Sequence, residues 1–263
     1  MKKSITIYSG VDKSGRKEPY EKITLNLGEV VSIVGHTGSG KTLLISDIEQ
    51  LSQKDSVSKR MILIDDEIPD YESRFNPEKK KIAMITQNTK CVTDLIVKDF
   101  LKIHAESRNI FDEKLIQKVI NLANKFTGEN IREDKKVTEL SGGQTRALLF
   151  ADAILIGSSP IILVDEIENA GINKTEILKY VKRENKLVIF ATHDPSIVLQ
   201  TEKRILMKNG AIKQIIEHTK EDKKALEVVT KADNIIKYIQ ELIRDGKDIN
   251  IDKIEGELKW NCY

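Results

Sequence analysis

The 263 residues carry 43 basic and 41 acidic side chains and are 40% apolar. This balance excludes collagen-like, mucin-like and fully disordered chains, and it gives no broad cationic footprint, so no nucleic-acid partner is expected. Two cysteines, Cys91 and Cys262, share no metal-binding or redox spacing, so a reducing compartment is expected rather than a disulfide framework.

Met1-Lys2-Lys3 leads into polar, β-prone residues and not into an apolar leader. The most apolar stretch, Ala147 to Val164, is interrupted by Asp152, Gly157, Ser158, Ser159 and Pro160. It falls short of the ~18 apolar residues that a membrane span needs. The chain is therefore expected to be cytoplasmic. Lys79-Lys80-Lys81 and Lys223-Lys224 stand beside acidic residues and read as solvated faces.

In chain order, Ser4 to Tyr8 and Lys22 to Leu27 alternate as strands, with a turn-rich segment from Gly10 to Pro19 between them. Val30 to Val34 (V-V-S-I-V) is a short apolar run between Gly28 and Gly35, the pattern of a fully buried strand. A helix is expected from Gly40-Lys41-Thr42 onward. Arg60 to Asp65 and Lys81 to Thr86 are further strands. From Val97 to about Phe126 the period becomes helical, with Leu115, Ile116, Val119, Ile120 and Ala123 on one face. Another helix runs from Gly142 to about Ile156. Ile161 to Val164 and Lys186 to Ala191 are buried strands, and Asn209-Gly210 marks a hairpin between Arg204–Met207 and Ala211–Ile216. Strands alternating with helices predict an α/β fold with a largely parallel core.

The sequence G-H-T-G-S-G-K-T (Gly35, His36, Thr37, Gly38, Ser39, Gly40, Lys41, Thr42) fits a phosphate-binding loop, and it follows a strand as such a loop requires. Its glycines let backbone N–H groups face phosphate oxygens, and the helix that follows adds its positive end at Leu43. Lys41 offers a charge to the β- and γ-phosphates, and the Thr42 hydroxyl a ligand to Mg²⁺. The run I-I-L-V-D-E ends a buried strand in Asp165, suited to the metal, and Glu166, suited to activate water as general base. Leu140 to Gln144 (L-S-G-G-Q) opens a helix with Ser141 as cap, Gly142 and Gly143 behind it, and Gln144 third in the helix. Gln87 and His193 each follow a strand, so four strand ends converge on one crevice.

In this order the motifs resemble those of the ATP-binding cassette (ABC) family, over about residues 3–216. The resemblance implies a P-loop NTPase: a mostly parallel core sheet, an N-terminal antiparallel β-subdomain and an inserted α-helical lobe at about 88–139. It also implies ATP and Mg²⁺ as ligands and hydrolysis of ATP. Two cassettes, identical or different, would sandwich two ATP molecules, with Ser141, Gly142 and Gly143 of one meeting the γ-phosphate held by Lys41 of the other. Gln87 would sense metal and water, and His193 would steady Glu166 and the γ-phosphate. The adenine-stacking aromatic would be Tyr8, with Tyr20 second. Where the family shows Pro and a short Ser-Ala-Leu-Asp loop after the acidic pair, this chain has Ile167 to Asn173.

Two kinds of partner follow from the resemblance: a separate membrane protein, with peripheral attachment at the inner face of the membrane, or a cytosolic client that is assembled or remodelled. Residues 219–263 form an extension. In it Ala225, Val229, Ala232, Ile236, Ile239 and Ile243 make a heptad-like seam, which packs either on the domain's own surface or on a partner, with Gly246 ending the helix.

Overall fold

The computed structural model describes residues 4–76, 79–86, 93–157, 159–165 and 172–249. Gln87, Cys91, Glu166, the start of the loop at Ile167 to Asn173, and Cys262 lie outside the described residues. Six strands form one sheet in the order β5 (Ile82–Thr86), β6 (Ile161–Asp165), β7 (Leu187–Ala191), β3 (Val30–Val34), β8 (Lys203–Lys208), β9 (Ala211–Glu217). The first five are mutually parallel, and β9 returns antiparallel through Asn209 and Gly210. Both turn residues have positive φ, 54° and 82°, as a tight hairpin of right-handed strands requires. A second, antiparallel sheet joins β2 (Lys22–Asn26), β1 (Ser4–Tyr8) and β4 (Met61–Ile64).

Strands β3, β6 and β7 are continuous apolar runs because both faces of the large sheet are covered. Alternation sends Ile33, Leu163 and Ile189 to one face, where they meet Leu44, Ile45 and Ile48 of helix α1 (Lys41–Glu49) and Ile5, Ile7 and Ile62 of the small sheet. Val30, Val164, Val188 and Phe190 point to the other face, toward Ala147, Leu148, Phe150 and Ala151 of helix α5 (Gly142–Leu155). Helix α1 is therefore sandwiched between the two sheets, and α5 lies behind the large one.

The helical stretch expected over Val97 to Phe126 is two helices, α3 (Val97–Ser107) and α4 (Glu113–Phe126), following the short α2 (Tyr71–Phe75). Asn109 stands at φ 58°, and the Asp112 side chain accepts the Lys114 N–H to start α4. Phe126 ends α4 with its ring edge-on to Phe150 and to Tyr180, each 6.0 Å away. Tyr180 belongs to α6 (Lys174–Arg183), which precedes β7, and the short α7 (Pro195–Val198) follows it.

Helix α8 (Lys220–Arg244) starts in a capping box between Thr219 and Asp222 and ends at Gly246, φ 64°. Asp222 pairs with Arg204 at 2.6 Å and anchors the helix start to β8. The apolar seam is partly covered by the domain: Ala225, Val229, Ala232 and Ile239 are half-buried, while Ile236 is 52% and Ile243 62% exposed.

Beneath the N-terminal turn lies a fully buried ion cluster. Arg60 gives Glu18 two hydrogen bonds, Nη2–Oε1 at 2.6 Å and Nε–Oε2 at 3.1 Å. It gives one to Asp47 Oδ2 at 2.8 Å and one to the Gly210 carbonyl at 2.7 Å. Tyr20 donates to Glu18, and Ser58 to Asp47. Burial acts to push the Glu18 carboxyl up, but the Arg60 bonds and charge and the Gly10 and Ile212 N–H groups overcome it and hold the carboxyl below the usual range.

Candidate nucleotide-binding site

The loop from Gly35 to Gly40 leaves β3 at the centre of the large sheet and enters α1. Gly35 has φ 153°, and a Cβ there would sit 2.5 Å from the Met207 carbonyl and 2.6 Å from Ser39 Oγ. Gly40 has φ 105°, and a Cβ there would sit 2.8 Å from the Gly210 Cα. Both positions are closed to side chains by the β8–β9 hairpin, so the sequence pattern is a packing requirement as well as a conformational one. The hairpin also bonds the loop directly, Gly210 N to Ser39 O at 2.8 Å.

Three features orient this loop toward an anion. Helix α1 begins at Gly40 with no side-chain cap, so its first N–H groups keep their donor capacity. Lys41 is buried, and its ammonium folds back onto the carbonyls of Gly35, 2.9 Å, and His36, 3.4 Å. The Ser39 hydroxyl is buried with no hydrogen-bond partner in the described structure, a costly state that an oxyanion ligand relieves. His36, Thr37, Gly38 and Thr42 are exposed, and Leu43 is half-buried above the core.

The parallel register lines up the other strand ends. Thr86, Asp165, Ala191 and Ile33 fall in one row across β5, β6, β7 and β3. Asp165 closes β6, half-buried. It is separated from the loop's strand by β7 alone, about 10 Å at the usual strand spacing. His193 is exposed, two residues beyond Ala191. Its turn is fixed by the Thr192 N–H on the Ile33 carbonyl, 3.2 Å, and by Asp194, which caps α7 and pairs with Lys174. Burial acts to push the Asp194 carboxyl up, but Lys174 and Ser196 bring it below the usual carboxylate range. Gln87 and Glu166 continue β5 and β6 in sequence and lie outside the described residues.

Ser141, Gly142 and Gly143 open α5 on the face of the sheet opposite α1, with Ser141 and Gly142 exposed. Gln144 is 4% exposed. Its amide accepts from the Ser141 N–H at 3.0 Å and donates to the Asn130 carbonyl at 3.3 Å, so it braces the helix start from inside. Tyr8 ends β1, adjacent to Ile7, whose side chain faces α1. Strand alternation therefore turns Tyr8 to the other face of the small sheet, with Thr6. Tyr20 is tied to Glu18 at 2.9 Å. One residue that sequence reasoning passed over reaches the loop: the Lys13 ammonium donates to the Gly38 carbonyl at 2.8 Å.

The family described as ABC transporter matches residues 21–169. An uncharacterized ABC transporter ATP-binding protein of Methanocaldococcus jannaschii is 46% identical over 257 residues, 98% of each chain. The macrolide export ATP-binding/permease protein MacB of Campylobacter jejuni is 30% identical over 228 residues, which are 80% of this chain but 33% of that protein. Among solved structures, CbiO1 of Clostridium perfringens, part of the ABC transporter complex CbiONQ, superposes with a TM-score of 0.62 at 23% identity, covering 94% of this chain and 98% of that one. The motif order, the sheet order and these matches agree: the chain belongs to the ABC transporter family and has its P-loop NTPase fold.

Proposed function

We propose that this chain is the ATP-hydrolysing subunit of a transporter, closing as a dimer around two ATP molecules and opening on hydrolysis. The observation that carries the dimer is the opposition of two faces. The phosphate loop leads into α1 on one side of the large sheet, and Ser141 to Gly143 lead into α5 on the other. One chain then offers half a site twice, and a second copy, or another cassette, completes each half.

The proposed roles follow the chemistry of each group. Gly38, Ser39 and Gly40 donate to phosphate oxygens, and Lys41 releases its loop carbonyls to pair with the β- and γ-phosphates. Thr42, Asp165 and Gln87 are the oxygen donors that a hard cation prefers. Mg²⁺ held there offsets charge on the phosphate oxygens. Glu166 takes the proton of the attacking water, and His193 orients the γ-phosphate. No helix of the described residues is long and apolar enough to cross a membrane. MacB is named as ATP-binding and permease in one chain, and this chain corresponds to a third of it. We infer a membrane-spanning permease as the partner that this reading calls for.

Two substitutions divide binding from assembly. Lys41→Ala is expected to weaken MgATP binding at least tenfold, since it removes a charge-assisted contact worth ~1.5–3 kcal/mol. Ser141→Arg is expected to leave monomer affinity within about twofold while abolishing hydrolysis, because the bulk falls on the partner's site. Titration with a fluorescent ATP analogue and a phosphate-release assay check both. ATPase activity retained by the arginine variant would rule out the sandwich. Capture of an ATP-trapped form from solubilised membranes tests the transport assignment, and recovery of cytosolic protein alone would replace it with the remodelling one.

A further inference from the structure

We propose that Lys13 is a second lysine of the nucleotide site, exchanging the Gly38 carbonyl for an oxygen of the bound polyphosphate. This rests on the nucleotide reading above and extends it to a segment outside the phosphate-loop motif.

The geometry of the two lysines is parallel. Lys41 Nζ sits 2.9 Å from the Gly35 carbonyl, and Lys13 Nζ sits 2.8 Å from the Gly38 carbonyl. One ammonium thus rests on the first residue of the loop and the other on its middle. A phosphate oxygen is a stronger, charged acceptor for an ammonium than a neutral loop carbonyl, so an anion seated on this loop competes for both lysines.

Lys13 is exposed at its head but fixed at its backbone. Its N–H donates to the Asn209 carbonyl at 3.0 Å. The preceding Asp12 is 6% exposed and clasps the turn through the Ser14 N–H, 2.8 Å, and the Arg16 N–H, 3.0 Å. The Lys13 Cγ also lies within 3.0 Å of where a Cβ on Gly210 would stand. Gly210 is the residue that carries Ser39 of the loop. The Lys13 backbone is thus held by the hairpin that positions the loop, and its exposed side chain reaches the Gly38 carbonyl. Charge balance favours the same role. Magnesium leaves a triphosphate with a net negative charge greater than Lys41 alone neutralises, and an unbranched ammonium is a compact counter-charge for phosphate.

The test is equilibrium binding of ATP, ADP and adenosine, each with Mg²⁺, to the full chain and to Lys13→Met, Lys13→Arg and Lys41→Ala, at ~0.1 M salt. The expected result is a weakening of ATP and ADP by about tenfold in Lys13→Met, with adenosine unchanged and Lys13→Arg within about threefold of wild type. The slope of log affinity against log salt should also fall in Lys13→Met. Equal ATP affinity in Lys13→Met and wild type overturns the proposal, as does a loss that extends equally to adenosine, since that marks a contact to sugar or base or a disturbed fold. Should wild type and Lys41→Ala bind ATP equally poorly, the nucleotide reading itself is what fails.

Discussion

Glu166→Gln is expected to slow ATP turnover by about 10²–10⁴-fold, or roughly 3–5 kcal/mol of barrier, and to leave ATP binding intact. In sequence the glutamate follows Asp165, which closes β6 in a row with Thr86, Ala191 and Ile33. A triphosphate seated on the central loop and extended across the end of β7 would bring its γ-phosphate toward that row. A carboxylate there can accept the proton of a water attacking in line, and an amide of the same shape cannot. Because binding survives and hydrolysis does not, the variant should accumulate as a nucleotide-closed dimer. On a sizing column it should elute as a dimer with MgATP and as a monomer with MgADP, while wild type reverts to monomer as ATP is consumed. Unchanged phosphate release would remove Glu166 from the chemistry.

Arg60→Met is expected to cost about 3–5 kcal/mol of stability, because it strands two buried carboxylates without their cation. In wild type the Glu18 carboxyl lies below the usual range. Its contribution is therefore present above the unfolded-state value and is lost only as pH falls through the folded one. With Arg60 gone, burial and the neighbouring Asp47 push Glu18 the other way, so the variant regains stability as pH falls and the carboxyl takes up a proton. Chemical denaturation at pH 7 and pH 5 should show the gap between the two proteins narrowing toward the lower pH. A constant gap would mean that Arg60 acts by packing alone. Arg60 also holds the Gly210 carbonyl, and Gly210 holds Ser39, so loosened ATP binding should accompany the lost stability.

What the sequence made legible was local. The apolar runs of β3, β6 and β7 announced buried strands because both faces of each strand are covered. The glycine pattern announced the loop, and Asn209-Gly210 announced the hairpin. The division between α3 and α4 was missed because the apolar period runs through it, although Asn109 and Asp112 are residues that favour left-handed turns and caps. The start of α7 had a readable signal as well, in Asp194 before Pro195. The Glu18–Asp47–Arg60 cluster had none. Its members come from the N-terminal turn, helix α1 and the approach to β4, and nothing in their spacing distinguishes them from surface charges. For Tyr8 the sequence offers position alone, and the pleat of β1 adds that it shares a face with Thr6. The S-x-x-Q spacing of Ser141 and Gln144 carries the capping box that they form, whereas the further bond from Gln144 to the Asn130 carbonyl has no signal in the motif.

If each ATP is completed by a second chain, mixing two inactive variants should rebuild a working site. Lys41→Ala lacks the loop's lysine, and Ser141→Arg blocks the opposing helix start. A dimer with one chain of each has one ruined site and one intact site, built from the Lys41 of the second variant and the Ser141 of the first. Equal mixing should therefore restore about a quarter of wild-type phosphate release, half the dimers being mixed and half their sites sound. A mixture as inactive as its components, with both variants folded, would mean that no site is shared between two chains.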